Sequence, residues 1–195
     1  MVHARELFKI AFTVLLIARL GIVQPSFANG IPVSVQGADV VAGIGASLSF
    51  KSATQATVVV FVSAKCPCSA SHELALKSLH QEFSPKGFAF VGIHSNSDES
   101  PDLTRAHFTE SAFPFPVIED REAALANAFG ALKTPHAFVI SPAGEVLFQG
   151  GVDDSHVAAE AKIPHLKNAM ISILGGRKPD PNRVRALGCV IKRSS

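Results

Sequence analysis

Apolar positions along the chain fall into several distinct rhythms. Ala56–Ser63 (ATVVVFVS) is an unbroken, mostly β-branched run, the pattern of a strand covered on both faces, and Gly87–His94 (GFAFVGIH) is a second. Between them Leu76, Leu79 and Phe83 recur at i, i+3 and i+7, which predicts an amphipathic helix over 69–83. Residues 101–112 read as a helix with Pro101 in its first turn and Leu103 and Phe108 facing inward. After a short extended piece at Phe115–Ile118, a helix over 121–129 is expected to bury Ala124, Leu125, Ala128 and Phe129 and to stop at Gly130. His136–Ser141 and Glu145–Gln149 flank Pro142-Ala143-Gly144, a hairpin signal, and Pro164–Leu174 reads as a last helix with Leu166, Met170 and Ile173 on one face. A lead-in hairpin is expected within 29–55. This order predicts one α/β domain over 29–195, a central mixed sheet flanked by helices, with its core over about 37–176 and a tail over 177–195.

The first 28 residues break this pattern. Arg5 and Lys9 precede the short apolar stretch Ile10–Ala18, and Ser26-Phe27-Ala28 supplies small residues at a cleavage position, so residues 1–28 read as a signal peptide. Ile10–Val23 is shorter than the roughly 20 apolar residues a spanning helix needs. The expected location is therefore exported, periplasmic or secreted, with no membrane span once the leader is removed. The whole chain of 195 residues has a formal charge of +2, but the leader holds Arg5, Lys9 and Arg19 against Glu6. The remainder has 15 basic and 15 acidic side chains, and without a basic block it is not expected to bind nucleic acid. An oxidising compartment makes the pairing of the three cysteines a live question.

Cys66 falls directly after the first buried strand and at the start of a helix, where unpaired N–H groups and the helix dipole favour a thiolate. Lys65 adds a positive charge nearby, and Pro67 suits a helix first turn. A thiolate so placed is the nucleophile of thiol–disulfide exchange. Cys68 could form a strained, easily reduced disulfide with Cys66, or Cys66 could react alone. Cys189, in the apolar piece of the tail, reads either as a resolving thiol or as a buried structural one.

The sequence of features then resembles the thioredoxin superfamily: strand, Cys66-Pro67-Cys68-Ser69, helix, strand, helix, and Thr134-Pro135 ahead of a strand. The stretches Phe115–Asp120, Ala128–Gly130, Ser141–Gly144, Phe148–Asp154 and Gly188–Arg193 extend the resemblance to exported redoxin-domain, peroxiredoxin-like proteins related to the alkyl hydroperoxide reductase and thiol-specific antioxidant family. The resemblance implies a thioredoxin-like fold in which Pro135 is the cis-proline facing Cys66. The backbone of Thr134 would then pair with an incoming peptide or thiol. It implies an oxidoreductase whose partners are protein or small-molecule thiols and disulfides, hydroperoxides, and a reducing protein. Two departures matter. Lys65 stands where thioredoxins carry Trp, and Ser69 occupies the second Cys position. Ser63 can replace the peroxiredoxin Thr, but Val59 replaces its Pro and the strand at Pro135-His136 carries no Arg to activate a peroxide.

No cofactor is required by this reading. The alternatives are a thiol-dependent, peroxiredoxin-like peroxidase and a Cu(I) carrier using Cys66, Cys68 and His72, with His136 as a further ligand. A redox-inactive adaptor on the same fold is the blandest reading. Asp98-Glu99 and Asp153-Asp154 read as turn residues that bond loop backbone.

Overall fold

The computed structural model describes residues 27–28 and 31–194. The leader read over 1–28 lies outside these, apart from Phe27–Ala28, which pair with Ile31–Pro32. None of the helices among the described residues is long and apolar enough to cross a membrane.

The lead-in is a hairpin of β1 (Ser34–Ala38) and β2 (Gly45–Ser49). It leads into β3 (Ala56–Val62), α1 (Pro67–Phe83), β4 (Phe88–His94), α2 (Pro101–Ser111), β5 (Val117–Glu119) and α3 (Ala124–Phe129). Then come β6 (Lys133–Thr134), β7 (His136–Ile140), β8 (Val146–Gly150), α4 (His165–Leu174) and β9 (Cys189–Val190). The central sheet has the order β8-β7-β3-β4-β5. β3, β4 and β5 are parallel, and β7 and β8 antiparallel, so the sheet is mixed.

All seven residues of β3 are buried, as its continuous apolar run requires, and the pleat divides them between two layers. Val58, Val60 and Val62 face Leu76, Leu79 and Phe83 of α1 and Leu166 and Met170 of α4. Val59 and Phe61 face Val35, Phe50, Ala126, Phe129 and Phe138 on the other side. Each fully buried Val or Phe contributes about 2 kcal/mol of transfer free energy, so the sheet is anchored from both sides. The C-terminal end of β3, where the chain must leave the sheet for α1, is thereby held rigidly.

Two expected faces turn out differently. In α2 the inward positions are Thr104, Phe108 and Ser111, whereas Leu103 is 37% exposed. Thr104 tolerates burial because its hydroxyl bonds the carbonyls of Ser100 and Pro101. The helix expected from residue 121 begins at Ala124, because the Asp120 carboxylate accepts the N–H groups of Leu125 and Ala126 at its start. The buried face is Ala123, Ala126 and Phe129, with Ala124 exposed and Leu125 and Ala128 only half-buried.

The tail folds back over the domain. Val184 N–H bonds Gln149 O, while Gln149 N–H bonds Asn182 O, which covers the outer edge of β8. Further on, β9 pairs antiparallel with β6, Cys189 opposite Thr134.

Candidate functional site

The site sits where β3 ends. Ser63 Oγ accepts the N–H groups of Lys65 and Cys66, at 3.2 and 3.0 Å, and donates to Glu99. The other Glu99 oxygen accepts Ala64 N–H at 2.8 Å. This turn delivers Cys66 as the residue that caps α1, its Sγ accepting Ser69 N–H at 3.5 Å, with Pro67 next. Ser69, in the position of a second thioredoxin cysteine, is buried and accepts Ser63 N–H through its hydroxyl. It clamps the turn.

Three sulfurs converge here. The Sγ atoms of Cys66, Cys68 and Cys189 all lie within 4.8 Å of one another, and all three are free thiols. Cys66 is 2% exposed, Cys68 half-buried and Cys189 exposed. Cys189 arrives because β9 lies on Thr134, the residue before Pro135, and the Thr134–Pro135 peptide bond is cis. The tail is tied down by Ile191 N–H to Leu132 O, Lys192 N–H to Asn96 Oδ1, and Ser97 N–H to Lys192 O. A Cβ on Gly188, whose φ is +143°, would run into the Thr134 carbonyl, so only glycine lets the tail lie this close.

Burial opposes charge on Cys66. Hydrogen bonds from Cys189 and Thr134 and from the backbone N–H groups of Ser69 and Cys189 outweigh it and lower its pKa from the ordinary thiol value. The Thr134 hydroxyl is buried and otherwise without a hydrogen-bond partner. Burial, and then the hydrogen bond and charge of Cys66, push Cys189 up to about 12. Cys68 is raised by burial and by the Cys66 charge. One thiolate among three sulfurs is thus favoured at Cys66. Lys65 does not assist it as expected, because its ammonium bonds the Asp98 carbonyl at 2.6 Å.

The copper set of Cys66, Cys68 and His72 is not assembled. His72 is buried and turned away, its Nδ1 on Cys68 O at 2.6 Å and its Nε2 3.1 Å from Asp153. Asp153 is accordingly a buried partner for α1, beyond the loop role read from sequence. His136 is engaged elsewhere as well. Its Nδ1 accepts Leu132 N–H, and burial, then Arg183, lower its pKa to about 4.

The sequence reading passed over His94 and gave Glu99 only a turn role. Glu99 is 2% exposed beneath the Cys66 turn, and His94 is fully buried between Glu99 (3.0 Å) and Glu119 (3.1 Å). Burial opposes the charge on both, but their mutual hydrogen bond and those from Glu119, Ser63 and Ala64 prevail: His94 is raised and Glu99 lowered. The available signal was a histidine ending an otherwise apolar strand with a carboxylate five residues on. A cavity of about 120 Å³ remains beside Cys66, lined among others by Ser63, Lys65, Glu99, Cys189 and Lys192.

The fold is shared with solved structures. An uncharacterized conserved protein from Geobacillus kaustophilus matches with a TM-score of 0.73 and 26% identity, covering 84% of this chain and 93% of its own. The peroxidoxin BcpB from Mycobacterium tuberculosis matches with a TM-score of 0.54 and 18% identity over 73% and 92%. The thioredoxin domain of a thiol-disulfide oxidoreductase from Bacteroides vulgatus matches with a TM-score of 0.52 and 20% identity over 64% and 89%. No curated protein matches the sequence. Residues 25–166 match the family described as Redoxin. With that match spanning most of the sequence, and with this sheet order and cysteine turn, the chain belongs to the Redoxin family and has a thioredoxin-like fold.

Proposed function

We propose that the protein is an exported thiol–disulfide oxidoreductase with Cys66 as nucleophile and Cys189 as resolving thiol. The observation that carries this reading is the convergence of three free sulfurs at the N-terminus of a 17-residue helix, beside a cis-proline loop. The Cys66 thiolate attacks a substrate disulfide, forming a Cys66–substrate bond as the substrate S–S bond breaks and one substrate thiolate leaves to take a proton from solvent. Once Cys66 is in a neutral disulfide, its charge no longer adds to burial in holding the Cys189 proton. Cys189 then attacks the Cys66 sulfur, its proton passing to the second substrate thiolate as that sulfur leaves. The substrate gains two electrons, and the chain keeps a Cys66–Cys189 disulfide for an external dithiol to reduce.

β9 already occupies the Thr134 backbone edge, and the cavity left at Cys66 is smaller than the roughly 300 Å³ at which ordinary ligand pockets begin. Small disulfides are therefore the favoured substrates. The peroxidase alternative is disfavoured by Ser63, whose hydroxyl proton is committed to Glu99. Disulfide mapping by mass spectrometry after a brief pulse of oxidised glutathione tests the reading. A Cys66–Cys189 bond is expected, with Cys66→Ser inert and Cys189→Ser arrested as a Cys66–glutathione adduct. Three free thiols after the pulse would overturn it.

A further inference from the structure

The sulfur cluster has a chemistry that exchange does not use. We propose that Cys66, Cys68 and Cys189 together bind one Cu(I) ion through three thiolates. Three sulfurs mutually within 4.8 Å can be bridged by a single small cation, and thiolate is the donor that soft Cu(I) selects. The donors are held by independent means. Cys66 caps α1, Cys68 stands in its first turn, and Cys189 is fixed by the pairing of β9 with β6.

The composition of the cluster decides among cations. Among the described residues, no His, Asp or Glu joins these three sulfurs within the same 4.8 Å. Zn²⁺ requires a fourth ligand in a structural site, whereas Cu(I) accepts a purely sulfur environment of lower coordination number. His156 Nδ1 lies 3.4 Å from Cys68 Sγ, but it contacts that one sulfur and lies outside the cluster. Hard cations such as Mg²⁺ or Ca²⁺ would find no oxygen donors among the three.

Binding forms three Cu–S bonds and displaces a proton from each sulfur still protonated, with no electron transferred. The resulting centre carries two negative charges. The N-terminus of α1 opposes them, as does Lys192, which lines the adjoining cavity. The same sulfurs that hold the ion would form the Cys66–Cys189 disulfide, so only the reduced chain can bind it. Oxidation of the pair would expel the metal.

The test is anaerobic titration of the reduced protein with Cu(I) in competition with bathocuproine disulfonate. One Cu(I) per chain is expected. Cys66→Ser, Cys68→Ser and Cys189→Ser should each weaken binding by at least about tenfold, the scale on which even an outer-shell partner registers. Circular dichroism of each variant establishes that it is folded, and the disulfide-oxidised protein should bind none. Retention of wild-type affinity in folded Cys189→Ser overturns the proposal, as does one Zn²⁺ bound in preference to Cu(I) with loss in His156→Ala. Disulfide exchange is measured on the same samples with oxidised glutathione. A chain that exchanges disulfides yet takes up no Cu(I) defeats this inference and leaves the proposed function standing; the reverse result defeats only the latter.

Discussion

Substitution of Gly188 by Val is expected to lift the tail from the site and separate Cys189 from Cys66. A Cβ at this position would overlap Thr134 O and come within 2.8 Å of the Thr134 carbonyl carbon, both backbone atoms of the β6–β7 loop that cannot rotate away. The positive φ adds strain of about 1–3 kcal/mol for a residue with a side chain. What it must overcome is modest. The three backbone hydrogen bonds of Ile191, Lys192 and Ser97, with Lys133 Nζ on Gly188 O, yield about 1 kcal/mol each. Burial of Ile191 adds about 2 kcal/mol, and the Arg193 bonds to Asn127 and Ala131 about 1 kcal/mol each, for roughly 8 kcal/mol in all. Ordering residues 188–193 costs about 1 kcal/mol per residue or more, which offsets most of this. A penalty of ~1.4 kcal/mol or more then lowers the docked-to-undocked ratio at least about tenfold. The assay is pulsed oxidation with oxidised glutathione followed by disulfide mapping, alongside reaction with insulin. Gly188→Val should accumulate the Cys66–glutathione adduct in place of Cys66–Cys189, and should trap insulin as a Cys66 mixed disulfide faster because the Thr134 edge is freed. Formation of Cys66–Cys189 at the wild-type rate would refute the reasoning.

Three other outcomes follow from the buried charges. Glu99→Ala removes the carboxylate that holds both the Cys66 turn and His94, and should cost about 3–5 kcal/mol in urea denaturation; an unchanged midpoint would refute that role. Stability of the wild-type protein should depend on pH on both sides. His94 is raised, so its contribution is complete below its ordinary 6.5 and fades as pH climbs through its folded value. Glu99 is lowered, so its contribution is complete above 4.5 and fades as pH falls through its own folded value. The pair therefore stabilises most between about pH 4.5 and 6.5, and a thermal-melt series on Glu99→Gln should be flatter in both arms. His72→Phe should lower stability by about 3 kcal/mol, because Asp153 stays buried without its partner on α1; equal chemical-denaturation midpoints would count against it.

The sequence by itself determined the layered core and the position of Cys66. An all-apolar β3 run must be covered on both faces, and Leu76, Leu79 and Phe83 can meet it only as one helical stripe, so Cys66 had to stand between a buried strand and a helix N-terminus. Local patterning of this kind depends on neighbours a few residues apart. The use of Thr104 in place of Leu103 on α2 was not legible, because a threonine becomes buriable only when its hydroxyl finds the Ser100 and Pro101 carbonyls. His72 belonged to Asp153, and Glu99 to His94 and Ser63, for the same reason: a polar side chain acquires its role from a partner brought up by the fold. Cys189 is the largest case. Its distance of more than 120 residues from Cys66 left its role open in the sequence, and the pairing of β9 with the strand before Pro135, possible only with glycine at 188, placed it in the site. Pattern decides what must be buried, but which sulfurs share one thiolate is decided by long-range backbone pairing.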